Sequence, residues 1–236
     1  MEEALLTAQS IGKSFGRTEV LKAATLWSHA GKVTALMGRN GSGKTTLLKI
    51  AAGRLRADYG AVHFGGEVSE RPRARALVRL GLFYMPDIGL LSTVGTLRDH
   101  LEVICRRFGT NGLEEIAGRL LIEHVLDLRP HKLSGGERRR ADLAMMFLRQ
   151  PRCVLADEPM AGLTPKDRLG VAQVLRTLAE TGAGVVVTGH DVPDVFEAAD
   201  HVTWMVSGTT HQIGTPDEAR KNHQFVRDYL GPGRPR

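Results

Sequence analysis

Cysteine is scarce in this chain: Cys105 and Cys153 are the only two among 236 residues. Two cysteines do not make a disulfide framework, so the fold must rest on a packed core, and a reducing, cytosolic setting is expected. Long apolar runs are missing as well. No uninterrupted stretch approaches the roughly 18 residues of a membrane helix. The opening Met1-Glu2-Glu3 is acidic, so no secretory leader is expected. Aromatic residues are few and do not interleave with the basic clusters Arg138-Arg139-Arg140 and Arg234-Pro235-Arg236. No nucleic-acid partner is therefore expected, although the net charge is +6. Internal repeats and low-complexity linkers are also absent, which leaves one domain large enough to bury a real core.

The chain does contain a loop built for phosphate. Gly38-Arg39-Asn40-Gly41-Ser42-Gly43-Lys44-Thr45 fits the pattern G-x-x-x-x-G-K-[ST]. Gly41 and Gly43 let the backbone approach an anion with its N–H groups turned inward. Lys44 brings a compact positive charge to the β- and γ-phosphates, and the Thr45 hydroxyl is a ligand for Mg²⁺. Thr46 belongs to the same nucleotide-binding set. The pattern carries meaning only between a strand and a helix. Val33-Thr34-Ala35-Leu36-Met37 reads as a buried strand, and the run from Thr45 to Ala52 reads as a helix stopped at Gly53.

Along the chain, residues 5–29 read as short strands around a turn at Gly16-Arg17, and Ala61-Val62-His63-Phe64 as a strand before the turn Gly65-Gly66. Leu80 to Met85 is another strand, ended by Pro86. From Thr96 to Gln150 the texture is helical, with Leu97, Leu101, Ile104 and Phe108 recurring at spacings of three and four. Apolar strands resume at 153–157, 184–188 and 202–206, separated by helices near 165–180 and 192–199. This alternation predicts an α/β fold whose parallel sheet is covered on both faces.

Two further motifs carry chemistry. Asp157-Glu158 ends a buried strand, where parallel sheets bind their ligands, so Asp157 is placed to hold Mg²⁺ directly or through water. Glu158, one residue on, is placed to orient the attacking water or accept its proton. Leu133-Ser134-Gly135-Gly136-Glu137 reads as a capped helix start whose glycines allow an anion to approach. On physics alone it is either a second anion site or an ordinary helix cap.

Taken together, these motifs resemble those of the ATP-binding subunit of ABC transporters, over essentially the whole chain. The 133–137 run matches the family's signature sequence, Asp157-Glu158-Pro159 its Walker B end, and His190 in Thr188-Gly189-His190-Asp191 its switch histidine. Phe15 falls where the family places an adenine-stacking aromatic. The resemblance implies a P-loop NTPase (RecA-like) core with a small antiparallel β subdomain and a helical insert. Residues 1–87 and 151–225 would form the core and β subdomain, 88–150 the helical subdomain and 226–236 a tail, all in one domain. It also implies ATP and Mg²⁺ as cofactors. Two subunits, identical or different, would pack head to tail around two ATP molecules. Ser134, Gly135, Gly136 and Glu137 of one would complete the site formed by the other's loop. Glu158 would polarise the attacking water, and His190 and Lys44 would contact the phosphates. Integral membrane subunits would form the channel, so the chain is expected at the inner face of the cell membrane. The run from Ser134 to Arg140 and the ending from Gly214 resemble the branch serving branched-chain amino-acid uptake and lipopolysaccharide export.

Two positions depart from the family pattern. Asp87 stands where the family has a glutamine that ligates Mg²⁺, and no glutamine occurs between Leu80 and Pro130. Asp87 can reach a hard cation through water, or be a loop aspartate with no metal role. Thr164 stands where the family has aspartate. It can cap the next helix, with Pro165 in the first turn and Asp167 at N3, but it brings no charge to a dimer interface. These departures keep a regulatory, weakly hydrolysing member of a heterodimer open as an alternative, beside a soluble ABC ATPase unconnected with transport.

Overall fold

The computed structural model describes residues 4–189 and 192–231. The chain opens with two long strands, β1 (Ala4–Phe15) and β2 (Thr18–His29), paired antiparallel around Gly16-Arg17. They are 12 residues each rather than short. Alternation buries Leu6 and Ala8; the pairing register then slips between Ala8 and Ile11, where Ser10 has φ 49°, and Ile11 is buried again. An extra residue in one strand of an antiparallel pair has this effect.

The chain crosses to a second sheet as β3 (Val33–Met37), whose five residues are all buried, and passes through residues 38–43 into helix α1 (Lys44–Ala51). It returns to the first sheet as β4 (Tyr59–Phe64) and β5 (Glu67–Ser69), completing a four-stranded antiparallel sheet in the order β2-β1-β4-β5. Helix α2 (Ala74–Arg79) leads into β6 (Leu82–Met85).

The helical stretch then holds α3 (Leu97–Phe108), α4 (Leu113–Arg119) and α5 (Gly135–Arg149). Reciprocal caps fix two of their starts: Thr96 with Asp99 opens α3, and Ser134 with Glu137 opens α5. Core elements resume as β7 (Cys153–Ala156), α6 (Pro165–Glu180), β8 (Gly184–Gly189), α7 (Val192–Ala198) and β9 (His201–Val206). Then come β10 (Thr209–Gly214), α8 (Pro216–Lys221) and short helical turns through Leu230.

The second sheet has the order β10-β9-β3-β8-β7-β6. Its pairs are parallel except β10 on β9. The core strands read from the sequence are thus parallel as expected, and β10 is an antiparallel edge strand that the sequence reading did not include. Ser207 (φ 49°) and Gly208 (φ 81°) are both left-handed, the conformation that closes a tight hairpin. Thr209–Gly214 is polar and none of its residues is buried, so it lacked the apolar signal of a core strand. As expected, the sheet is covered on both faces. Val33, Ala35 and Met37 pack with α5, α6 and α7, while Leu36 packs with α1 and the antiparallel sheet.

Candidate nucleotide-binding site

Backbone geometry explains the glycines of the phosphate loop. Gly43 has φ 109° as the cap of α1, and a side-chain carbon there would lie 2.7 Å from Leu21 Cδ2 and 2.9 Å from Met205 Cε. At Gly38 the same carbon would collide with the Met205 carbonyl. The loop is therefore pressed against β2 and β9 with no room for side chains at those points. Lys44 is buried, and its ammonium donates to the carbonyls of Gly38 (2.7 Å) and Arg39 (3.3 Å). Burial lowers its pKa below the ordinary lysine value, while Glu158 and then Asp157 pull it back up.

Asp157 is the hub of the site. It is fully buried, and its backbone N–H donates to the Met85 carbonyl at 2.8 Å. Its Oδ1 accepts the hydroxyls of Thr45 (3.1 Å) and Thr188 (3.0 Å), and its Oδ2 accepts the Tyr84 phenol (3.2 Å). Three O–H donors thus compensate a carboxylate removed from water. Burial, followed by the charge of Asp157, pushes the Tyr84 phenol well above its ordinary value, so it stays a donor. Thr188 also accepts the Glu158 backbone N–H at 2.8 Å. Glu158 has φ 49°, a left-handed conformation that disfavours any residue with a Cβ.

Asn40, Gly41, Gly43, Lys44, Thr45, Thr46, Asp87 and Glu158 line one open cleft of about 550 Å³, with Val20 and Ala161. A larger cleft of about 690 Å³ lies among Thr110, Arg119, Phe147 and Thr181. No candidate site residue read from the sequence lines it, so size does not mark the site. Asp87 Oδ1 accepts the N–H of Ile88 at 2.9 Å. Its loop is clamped from α5: Arg139 donates to the carbonyls of Pro86 (3.4 Å) and Asp87 (3.0 Å), and Asp142 accepts the Leu90 N–H at 2.9 Å. Arg139 and Asp142 are both buried, 3.7 Å apart. Burial pushes the Asp142 carboxyl up to about 6, against the pull of the Leu90 N–H and of Arg139.

The signature residues stand apart from this cleft. Ser134 and Gly135 are exposed. Ser134 Oγ accepts the Glu137 N–H (3.3 Å), and Glu137 accepts the Ser134 hydroxyl (2.7 Å) and N–H (2.8 Å). Those two bonds, the hydroxyl first, hold the Glu137 carboxyl below its ordinary value. Phe15 ends β1 half-exposed, with Lys13 Nζ 5.4 Å above its ring. Ser42 lies within the loop and Arg39 is exposed. His190 falls outside the described residues, as does the basic run Arg234-Pro235-Arg236. The other basic cluster is not a free surface: Arg138 donates to the Pro130 carbonyl (2.8 Å), Arg139 to the Asp87 loop, and Arg140 to Asp167 (2.6 Å).

Sequence reading missed Tyr84 and Thr188. One signal was available for Thr188, a lone hydroxyl at the end of the apolar run Val185-Val186-Val187 and on the same edge of the sheet as Asp157.

The family described as ABC transporter matches residues 21–161. The lipopolysaccharide export system ATP-binding protein LptB of Escherichia coli (strain K12) is 29% identical over 238 residues, spanning 97% of this chain and 98% of its own. The arginine transport ATP-binding protein ArgV of Corynebacterium glutamicum is 29% identical over 250 residues, spanning 98% of each chain. A nucleotide-free ATP-binding cassette from an ABC transporter superposes with a TM-score of 0.83 at 22% identity, over 97% of this chain and 100% of that one.

Proposed function

This chain belongs to the ABC transporter family, as an ATP-binding subunit that hydrolyses ATP, and from that premise we propose that it works as half of a head-to-tail pair driving transport through separate membrane subunits. The observation that carries the reading is the 3.1 Å hydrogen bond from Thr45 to Asp157, which joins the phosphate loop to the buried acid at the end of β7. In this reading the loop's N–H groups and Lys44 hold the β- and γ-phosphates, and Phe15 stacks on the base. Glu158 takes a proton from water as its oxygen attacks the γ-phosphorus, and ADP leaves. His190 stabilises the developing charge on the γ-phosphate. Ser134, Gly135, Gly136 and Glu137 close over the partner's ATP.

The residues fit Mg²⁺. The Thr45 hydroxyl donates a hydrogen bond to Asp157, which leaves its oxygen lone pairs for a hard cation. Asp157 already accepts three O–H donors, so its part is to orient Thr45 and to reach the ion through water. Asp87 lines the same cleft and adds an oxygen by the same route. Held there, Mg²⁺ would supply positive charge to neutralise that of the phosphates.

Ile88 and Val94, 85% and 79% exposed, flank this loop and support docking of membrane subunits beside Asp87, hence a peripheral place on the inner membrane face. The two relatives differ in cargo, lipopolysaccharide in one and arginine in the other, which supports a cargo chosen by the membrane subunits. Thr164 and Asp87 favour one second reading, a weakly hydrolysing member of a heterodimer; ATPase activity of the chain purified alone separates the two. For the main reading, Glu158→Gln should bind ATP, pair and hardly hydrolyse. Near-normal turnover in that variant would remove the role given to Glu158.

A further inference from the structure

Arg140 reaches from the second turn of α5 to the start of α6. Its Nη1 lies 2.6 Å from Asp167 Oδ1, and both side chains are about a quarter exposed. The other oxygen, Asp167 Oδ2, accepts the Thr164 hydroxyl at 2.8 Å, and the Asp167 N–H donates back to Thr164 Oγ1 at 3.3 Å. Gly136 sits directly on this pair: a side-chain carbon there would be 3.2 Å from Asp167 Oδ2 and 3.5 Å from Arg140 Nη1. Arg168 adds a second hold, donating to the Leu163 carbonyl (3.0 Å) and to Asp194 of α7 (3.2 Å).

We propose that Thr164, Asp167 and Arg140 form a positioning bridge that locks the signature turn to the start of α6, so that the turn is held in one place where it meets the partner's ATP. The proposal rests on the head-to-tail pair argued above. It also gives Thr164 a purpose. An ionised aspartate has no proton to donate, so at position 164 it would set a second carboxylate against Asp167 Oδ2 where the hydroxyl now donates. Thr164 is therefore matched to Asp167, and the acid of this corner is spent on Arg140.

The consequence runs against the family pattern: restoring the family residue should impair this chain. The test uses full-length protein carrying Glu158→Gln, with Mg²⁺ and ATP, and reads pairing by sedimentation at rising protein concentration. Thr164→Asp, Asp167→Asn and Arg140→Gln should each weaken ATP-driven pairing by about tenfold or more, as expected for loss of a charge-assisted contact. Thr164→Ser, which keeps the hydroxyl, should pair like its parent. In the Glu158 background the same three changes should raise the KM for ATP more than they lower kcat. A merely structural role would lower the melting midpoint in proportion to the loss of pairing, whereas the bridge predicts that pairing is lost at temperatures where each variant is still fully folded. Should Glu158→Gln alone fail to pair with ATP, the head-to-tail reading falls, and the bridge with it. Should it pair, and Thr164→Asp pair as tightly or more tightly, the bridge alone is overturned. If Thr164→Asp does not fold, Asp167→Asn and Arg140→Gln decide the matter by the same readout.

Discussion

Thr188 shows how much one hydroxyl carries in this site. It donates a hydrogen bond to Asp157 at 3.0 Å and accepts the Glu158 N–H at 2.8 Å, so it ties both acids at the end of β7 to β8. That grip matters because Glu158 is left-handed, at φ 49°, a conformation that costs roughly 1–3 kcal/mol and persists only where the surroundings hold it. Thr188→Val keeps the shape and removes both bonds. Leaving buried groups unsatisfied costs about 1–3 kcal/mol, which urea unfolding would read directly. The ATPase rate should fall further than ATP affinity does, and Thr188→Ser should restore both. Unchanged stability together with unchanged turnover would show that the hydroxyl is idle.

Helix α5 ties three parts of the molecule together. Its first turn carries the signature, its second clamps the Asp87 loop through Arg139 and Asp142, and its last residue, Arg149, is buried between Phe83 and Phe108. The clamp makes stability depend on pH. Burial pushes the Asp142 carboxyl up to about 6, whereas in the unfolded chain it ionises near the ordinary value of 3.8. Folding therefore opposes its ionisation. The contribution is full below about pH 4 and is lost as pH rises to about 6, a change of about 3 kcal/mol by linkage. Asp142→Asn keeps an oxygen for the Leu90 N–H and cannot ionise. Against the parent it should gain stability between pH 4.5 and 7, measured by urea unfolding; parallel pH profiles would contradict this. Much of this element was legible in the sequence: Ser134 and Thr164 cap their helices as read, and the 33–37 strand has the predicted bounds. The clamp and the hub were not. Tyr84 and Thr188 lie 73 and 31 residues from Asp157 and meet it only because β6, β7 and β8 are neighbours, an order that no local periodicity encodes. Likewise, a run of three arginines looks like surface charge until its partners at Pro130, Asp87 and Asp167 are in place.

At the scale of the whole molecule, no helix among the described residues is long and apolar enough to cross a membrane. The ATP cleft and the signature turn occupy separate parts of one subunit's surface, so the proposed pair divides each ATP site between two chains. In the proposed assembly, docking on membrane subunits is assigned to the segment around the exposed Ile88 and Val94. Val94→Asp should reduce the share of the chain that sediments with membranes containing those subunits several-fold, roughly what losing an apolar anchor costs an interface. An unchanged membrane-bound share would move the docking surface elsewhere.

The two ends of α5 are held by different physics. Arg140 and Asp167 are a partly exposed ion pair at the signature end, whereas Arg149 donates to the Val78 carbonyl at 2.6 Å between two aromatic rings, and no carboxylate forms a salt bridge with it among the described residues. Ionic strength weakens an exposed pair and hardly touches a buried cation held by dipoles and π faces. Added salt is thus a selective tool on this molecule: it loosens α5 at the signature end, where the proposed pair would meet, and leaves its root in the core fixed.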